Sequence, residues 1–419
     1  MMTLFLSLLI IVFLFKLWLS LRNTNCVESN RAEVPKAFAE RFAVADHHKA
    51  QDYSLAKLRS RRLFMGFETL VLMFWTVGGG LALLDENIRT HLFATVSSNE
   101  ILFGIYLALC FSAVNFLLDL PEEIYTTFSI EKRFGFNRTT IKTFISDHLK
   151  GIILGMVIGL PLFSFLIWAM LKVPYWWPWA FATLTLFQLF LMWIYPMLIA
   201  PLFNKFTPMP EGPTKEAVKK LLSENHFPYQ GLYVMDASRR STHGNAYFTG
   251  FGKSRRIVFY DTLLESLTPS EVVAVLAHEI AHFKYKHILK SLLISIISSA
   301  LGMWLLWKVS TWSAFYHSFH ITVESPAVVI LLFSMIIPPF TFFLTPLFSW
   351  YSRKNEYEAD RFAATAARAE DLISALVKMY RDNASTLTPD SLYALFYYSH
   401  PTAMDRIAFL QSLSSRPKY

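Results

Sequence analysis

Seven long apolar stretches constrain the fold of this chain more than any other feature of its sequence. A helix needs about 20 mostly apolar residues to cross the hydrocarbon core of a bilayer. Stretches of this kind are Thr3–Leu21, Leu63–Leu84, Ile101–Leu120, Gly151–Leu171, Trp176–Leu198, Ile288–Val309 and Ala327–Trp350. Charged residues make up only 17% of the chain, and soluble domains carry roughly a quarter. We therefore predict an all-α membrane protein with seven transmembrane helices embedded in a lipid bilayer.

The basic residues of the loops alternate between the two sides of the membrane. Lys and Arg are frequent after the first, third, fifth and seventh stretches, whereas the second is followed only by Arg89 and the sixth by little beyond Lys308. Cytoplasmic loops carry the excess of Lys and Arg, which predicts an outside N-terminus and a cytoplasmic C-terminus. Basic loops facing an anionic membrane surface explain the net charge of +8, so we expect no nucleic-acid partner.

This topology divides the chain into four regions. Residues 1–201 form an N-terminal membrane region with five spans, and residues 288–350 hold spans six and seven. Residues 202–287 and residues 351–419 form two segments on the cytoplasmic side, which contain all the candidate chemistry. The first of these segments contains "GLYVMD", "HGNAY" and "RRIVFYDTLL", which predict two short strands with a turn at residues 250–253, and hence a small β-sheet.

The metal-binding candidate is a pair of histidines in "AVLAHEIAHFKYKH". The preceding Thr268-Pro-Ser-Glu271 predicts a capped helix start, which places His278 and His282 one turn apart on one helical face. Two imidazoles in this arrangement can bind one zinc ion, and Glu279 is placed to take a proton from the attacking water. His287 lies off this face and is not expected to be a ligand. The alternative is a half-buried helix whose histidines are satisfied by hydrogen bonds.

A catalytic zinc site needs a third protein ligand, and "SRKNEYEADRFAA" provides the best candidates. Glu356 and Asp360 are four residues apart and therefore share a helical face. Glu356 can complete a His-His-Glu site, and Asp360 can accept the free ring proton of a ligand histidine. Glu358 projects away from this face. The alternative is a solvated acidic face that pairs with neighbouring cations, namely Arg353, Lys354 or Arg361.

Two further segments carry candidate residues. An edge strand that includes "HGNAY" can align an extended peptide by β-addition. Near the C-terminus, "YYSHPTAMDR" contains His400 and Arg406, either of which can stabilise a developing oxyanion. From the residues alone, a capping histidine and a surface arginine remain the favoured interpretation of this last pair.

The chain resembles the type I CAAX prenyl protease family of integral-membrane zinc metallopeptidases. The segments that carry the resemblance, in the family's order, are "IYTTFSIEKRFGFNRTT", "PLFNKFTPMPEGPTKEAV", "STHGNAYFTGFGKSRRIVFYDTLL", "LAHEIAHFKYKH", "NEYEADRFA" and "YYSHPTAMDRI". They extend through almost the whole chain. One departure is Thr402, which stands where the family has a second proline after its His-Pro pair.

The resemblance implies a set of residue roles. The zinc ligands would be His278, His282 and Glu356, and the general base would be Glu279. Asp360 would be the carboxylate that supports a ligand histidine, and His400 and Arg406 would stabilise the oxyanion or order the site. The strand that lines the substrate cleft would contain Asn245, Ala246 and Tyr247. It also implies seven spans around a large water-filled chamber, with a zincin-like metalloprotease domain in the cytoplasm and one zinc ion per chain.

The function expected on this basis is a zinc endopeptidase that cleaves CAAX-type, possibly prenylated, or similar hydrophobic peptides near their C-terminus. Quality control of membrane proteins is the alternative within the enzyme class. A non-hydrolytic transporter or scaffold with structural zinc is the alternative outside it, although structural sites usually have four protein ligands. Short outer loops favour a bacterial source and its inner membrane, and a eukaryotic chain would lie in the endoplasmic reticulum. The oligomeric state is left open.

Overall fold

A bundle of long apolar helices and a smaller domain with a β-sheet make up the computed structural model, which describes residues 1–92, 99–250 and 255–414. The helices of the N-terminal half are α1 (Met2–Ser29), α2 (Val44–Trp75), α3 (Gly80–Asn87), α4 (Glu100–Tyr125), α5 (Ile141–Lys172), α6 (Trp176–Ile194) and α7 (Ala200–Phe203). The apolar windows of the candidate spans bury between 0% and 33% of their residues inside the protein. Most of this apolar surface therefore faces outward, as a bilayer requires.

Six of the described helices are long and apolar enough to cross a membrane, and a bent pair raises the number to seven. The pair is α2 with the helix that begins at α3, and its two parts meet at 51°. Gly79 adopts a left-handed φ of +73°, which glycine allows at no steric cost. A Cβ atom on Gly80 would lie 2.7 Å from the ring of Phe74. The second predicted span, Leu63–Leu84, is therefore broken. The sequence analysis missed the break because hydropathy does not detect a backbone turn.

The sheet domain follows α7. Its first elements are β1 (Phe206–Pro208), α8 (Pro213–Glu224), β2 (Gly231–Met235), β3 (Ala246–Thr249), β4 (Arg256–Tyr260), α9 (Asp261–Ser266) and α10 (Pro269–Lys284). The strand order is β1-β2-β4-β3, with β2 and β4 parallel and the other two pairs antiparallel. The sheet thus has four strands where the sequence predicted two, and β3 lies at an edge. The turn predicted at residues 250–253 lies, apart from Gly250, outside the described residues.

The two faces of the sheet have different neighbours, because successive side chains of a strand point to opposite sides. Ala246, Ile257 and Phe259 pack with α8 and α10 in the largest apolar core of this domain. Tyr247 and Val258 pack on the opposite face with a smaller cluster. The metal-binding helix α10 therefore lies against only one face of the sheet.

Two spans run directly into the segments that carry the candidate metal ligands. The remaining helices are α11 (His287–Ser310), α12 (Ser313–His317), α13 (Pro326–Thr341), α14 (Thr345–Ala366), α15 (Ala369–Asp382), α16 (Ser391–Tyr397) and α17 (Ala403–Ser414). Only Tyr285 and Lys286 separate α10 from α11, and Lys286 has a left-handed φ of 57°. A 3-10 turn joins α13 to α14, so the seventh span continues past Trp350 to Ala366.

Candidate metal centre

Three side chains from α10 and α14 converge on one point. The ligand atoms that His278, His282 and Glu356 offer all lie within 4.8 Å of one another. The two Nε2 atoms are 3.2 Å apart, and each lies 3.4 Å from a carboxylate oxygen of Glu356. The first two ligands are one turn apart on α10, as predicted, and the third comes from the extension of span seven. The fold thus brings together the three residues that the sequence singled out as ligands.

The chemistry of these donors fits a metal cation. Two imidazole nitrogens and a carboxylate oxygen that face one another bring lone pairs together. Glu356 is 4% exposed, and its Oε2 atom has no well-aligned hydrogen bond among the described residues. A buried carboxylate oxygen is costly unless a cation or a hydrogen-bond donor satisfies it. Two histidines and one glutamate form a ligand set typical of catalytic zinc.

Asp360 and Arg406 support the first ligand. Nδ1 of His278 lies 2.8 Å from Oδ1 of Asp360, which turns Nε2 of the ring toward the metal position. Arg406 donates to both oxygens of Asp360 at 2.7 Å, a bidentate pair in which every partner is buried. Arg406 therefore contacts the carboxylate behind the first candidate ligand, and this position is compatible with the site-ordering role that the family resemblance implies for it.

The second ligand has a support that the sequence analysis missed. Nδ1 of His282 lies 3.1 Å from Nδ1 of His287, whose Nε2 lies 3.1 Å from Oε2 of Glu358. His287 is 3% exposed. The spacing of five residues placed His287 off the ligand face because it assumed a continuous helix. The left-handed Lys286 instead ends α10 and turns the next residue back toward His282. His287 and Glu358 are thus additional site residues.

The pKa values of the two candidate ligand histidines favour a protonated His278 beside a neutral His282. Burial and the Arg406 charge lower the pKa of His278, but the Asp360 and Glu356 carboxylates outweigh them and raise it to about 9. Burial and the neighbouring His278 charge lower the pKa of His282 to about 4. The Asp360 and Glu356 carboxylates therefore stabilise positive charge at His278, while His282 stays neutral.

Glu279 and His400 flank the cluster without belonging to it. Glu279 is half-buried, and burial together with the nearby Glu356 charge raises its pKa. A raised pKa makes a carboxylate a stronger base near neutral pH. Nδ1 of His400 lies 2.8 Å from Oε2 of Glu356, and its side chain is 64% exposed. The structure therefore brings His400 to the metal centre, contrary to the interpretation favoured from the residues alone.

A cavity of about 820 Å³ opens in front of the metal centre. His278, Glu279 and His400 line it together with Asn245 and Ala246, and its far wall comes from α2 and α4. The strand expected in the substrate cleft is therefore beside the metal centre.

The prediction for Tyr247 needs a correction. Its side chain packs with Met235 and Val258 on the face of the sheet that is turned away from α10. Ala246, one position earlier, packs with α10. Alternation along the strand separates these neighbours, so the Tyr247 side chain does not line the cavity in front of the metal centre.

Comparison with known proteins places the chain in a family. The family model described as the CAAX prenyl protease N-terminal region with five membrane helices matches residues 23–205, and that of peptidase family M48 matches residues 208–414. A CAAX prenyl protease 1 homolog of Arabidopsis thaliana is 34% identical over 95% of both chains. The chain belongs to peptidase family M48. It is an integral multi-pass membrane protein and a metallopeptidase.

Other relatives agree with this assignment. CAAX prenyl protease 1 of Saccharomyces cerevisiae is 31% identical, with 93% of this chain and 91% of the relative covered. The crystal structure of S. mikatae Ste24p has a TM-score of 0.89 and 29% identity over 98% of each chain. The predicted fold class, a helical membrane protein with a small sheet, and the predicted family are therefore confirmed.

Proposed function

We propose that this M48 peptidase is a zinc-dependent endopeptidase that cleaves near the C-terminus of peptides ending in Cys-a-a-X with a prenylated cysteine. The observation that carries the proposal is the three-ligand cluster with Glu279 beside it, facing a cavity that also contains an edge strand. Relatives over nearly the full chain are named CAAX prenyl protease 1, which supports the substrate class. The open ligand set argues against a scaffold with structural zinc.

In this proposal, separate residues bind the metal, orient its ligands and transfer the proton during hydrolysis. His278, His282 and Glu356 hold the metal, and Asp360 and His287 fix the orientation of the two imidazoles. Zinc, when bound, supplies Lewis acidity in the site. Glu279 takes a proton from the attacking water and passes it to the nitrogen of the leaving amine.

His400 is proposed to hydrogen-bond the developing oxyanion. Its exposed ring reaches Glu356 from the cavity side, so it lies where a scissile carbonyl would enter. Arg406 is proposed to act through Asp360, because its guanidinium already donates two hydrogen bonds there. A hydrogen-bond donor aimed at the developing oxyanion stabilises the transition state more than the ground state.

The substrate is proposed to extend along the free edge of β3. The carbonyl of Asn245 accepts a hydrogen bond from the N–H of Tyr260 in β4, so in an antiparallel pair the next residue, Ala246, directs its backbone groups to the open side. An extended peptide can add there as a further strand. The side chain of Asn245, which accepts from the N–H of Ala246, would have to move aside.

The division into four regions and the orientation stay part of the proposal. Residues 202–287 and residues 351–419 would face the cytoplasm, where a lipid-modified peptide meets the membrane surface, and the N-terminus would lie outside. The cavity in front of the metal centre is the part of the expected chamber that adjoins the chemistry. Relatives from eukaryotes favour the endoplasmic reticulum for a eukaryotic chain.

The deciding experiment compares the wild type with Glu279→Gln on a prenylated and an unprenylated peptide of one sequence. Removing a general base costs on the order of 10²–10⁴ in rate, so the variant should be nearly inactive while retaining its zinc. Glu265→Gln, at an exposed position of α9, is the matched control. Equal cleavage by Glu279→Gln and wild type would rule out the hydrolase assignment.

The two peptides separate the candidate substrates. Preferential cleavage of the prenylated peptide supports the CAAX-type substrate. Equal cleavage of both peptides by the wild type would contradict prenyl specificity and favour membrane-protein quality control. The ligand set has its own test, since Glu356→Ala should lose zinc; full zinc content and activity in that variant would show that Glu356 is not the third ligand.

A further inference from the structure

A second cavity lies on the face of the sheet that is turned away from the metal centre. This interfacial cavity has a volume of about 470 Å³ and lies between the sheet and the end of span five. Its sheet wall comes from all four strands and includes Tyr233, Tyr247 and Thr249, and its membrane wall includes Tyr195 and Leu202. Nothing in the proposed hydrolysis uses this space.

Three cations and no carboxylate line the interfacial cavity within the described part of the chain. Lys205, Arg239 and Arg256 contribute the charges. Within residues 1–92, 99–250 and 255–414, none of these three side chains has an acidic partner within 4.0 Å. Arg256 is half-buried, and its guanidinium lies 5.4 Å from the ring centre of Tyr233. A partly buried guanidinium without a carboxylate favours the binding of an anion, and phosphate matches its planar donors.

The Tyr247 phenol in the wall is a neutral hydrogen-bond donor. Burial, reinforced by the neighbouring Tyr260 and Tyr195, raises the pKa of Tyr247 to about 12. A phenol that stays protonated donates to an anion and does not repel it. The cavity therefore combines three cationic side chains with a neutral hydrogen-bond donor, the phenol of Tyr247.

The membrane wall places the cavity at the bilayer surface. The candidate span runs from Trp176 to Phe203, and Lys205 follows it by two residues. Tyr195 and Leu202, which line the cavity, are 53% and 51% exposed, so span five leaves apolar surface open beside it. A headgroup in the cavity could thus keep its acyl chains along span five. A free anion would leave this apolar surface unused.

We propose that the interfacial cavity binds the phosphate headgroup of an anionic phospholipid. The guanidinium groups of Arg239 and Arg256 and the ammonium of Lys205 bind the phosphate oxygens, and the acyl chains lie against the end of span five. The site is separate from the metal centre, because Ala246 of β3 faces that centre whereas Tyr247 and Thr249 face this cavity. The inference does not depend on the proposed peptidase activity.

The test measures binding of dioctanoyl phosphatidic acid to the purified full-length protein by native mass spectrometry and by titration calorimetry. Dioctanoyl phosphatidylcholine and inorganic phosphate are the comparison probes. The double variant Arg239→Gln/Arg256→Gln removes two cations of the cavity. The double variant Lys220→Gln/Arg368→Gln removes the same charge from exposed positions elsewhere in the domain.

Wild type and the Lys220/Arg368 variant should bind phosphatidic acid about tenfold or more tightly than phosphatidylcholine, and the Arg239/Arg256 variant should lose about tenfold in affinity. The single variant Arg239→Gln, at an exposed position without an ion pair in the described chain, should show a smaller loss even if the double variant folds poorly. Equal binding by both double variants would overturn the site. Inorganic phosphate that binds as tightly as phosphatidic acid would overturn the lipid assignment.

Discussion

At the scale of single residues, each ligand histidine is held by a carboxylate in a different way. Asp360 contacts His278 directly, whereas Glu358 reaches His282 through the intervening ring of His287. Both arrangements fix the ring so that Nε2 faces the metal position, and partners of this kind tune metal affinity as well as geometry. The metal centre therefore includes His287, although its spacing excludes it as a ligand.

Replacing His287 by alanine should weaken zinc binding about 10–100-fold, because His282 would lose the partner of its Nδ1 atom. The measurement is the zinc dissociation constant from competition with a chromophoric chelator, which does not depend on activity. His226→Ala is the matched control, since His226 is exposed on the loop after α8.

Glu358→Gln refines the same prediction. The glutamine oxygen can still accept from His287, so this variant should bind zinc more tightly than Glu358→Ala. A wild-type zinc affinity in both His287→Ala and Glu358→Ala would show that these two side chains do not support the metal centre.

At the scale of elements, the two ends of α10 serve different purposes. At its start, Thr268 and Glu271 form a reciprocal capping box, as predicted from the sequence. Glu271 also accepts hydrogen bonds of 2.7 Å from Ser374 and Lys378 of α15, so the cap fastens the metal-binding helix to its neighbour. At its end, the two-residue break before α11 brings His287 to the metal centre.

The Glu271→Gln substitution should destabilise the domain by on the order of 1–3 kcal/mol, since a buried charged hydrogen-bond partner of Lys378 is lost. Burial alone would raise the pKa of Glu271, but hydrogen bonds from Lys378 and Thr268 outweigh it and lower the pKa. The wild type therefore has this stabilisation above the carboxyl's unfolded pKa and loses it as the pH falls through the folded value.

Thermal unfolding in detergent across an acidic pH series measures this effect. The melting temperatures of Glu271→Gln and wild type should differ near neutral pH and converge as the pH falls. The control is Glu216→Gln, which removes an exposed first-turn glutamate of α8 and should change stability little. A melting temperature of Glu271→Gln equal to that of the wild type at neutral pH would contradict the role of this cap.

At the scale of the whole molecule, the candidate metal centre is assembled next to the ends of two candidate membrane spans. Its candidate ligands lie on α10, which precedes span six, and on α14, which continues span seven. The cavity in front of it reaches α2 and α4, and Tyr53 of α2 hydrogen-bonds Glu131 beyond α4 at 2.5 Å. Membrane helices and the sheet domain therefore enclose the reacting space jointly.

The proposed orientation predicts which surfaces an impermeant maleimide can reach in sealed membrane vesicles whose cytoplasmic face is inside. In a background without Cys26 and Cys110, His317→Cys, on an exposed position of α12 between spans six and seven, should be labelled from outside. Ser223→Cys, exposed on α8, should be labelled only after permeabilisation. The reverse pattern would invert the topology.

The sequence by itself determined six of the seven candidate spans, the helical pair of histidines, the cap of α10 and the shared face of Glu356 and Asp360. These are local properties, because hydropathy and helical periodicity act within one segment. Its motifs also identified the family.

Only the tertiary structure decided the bend at Gly79, the contact of His287 with His282, the binding of Arg406 to Asp360 and the outward face of Tyr247. Each depends on a backbone turn, a strand register or a contact between distant segments. The energy of such contacts is set by groups that the chain brings together only when it folds, and for this reason residue spacing along the sequence could not reveal them.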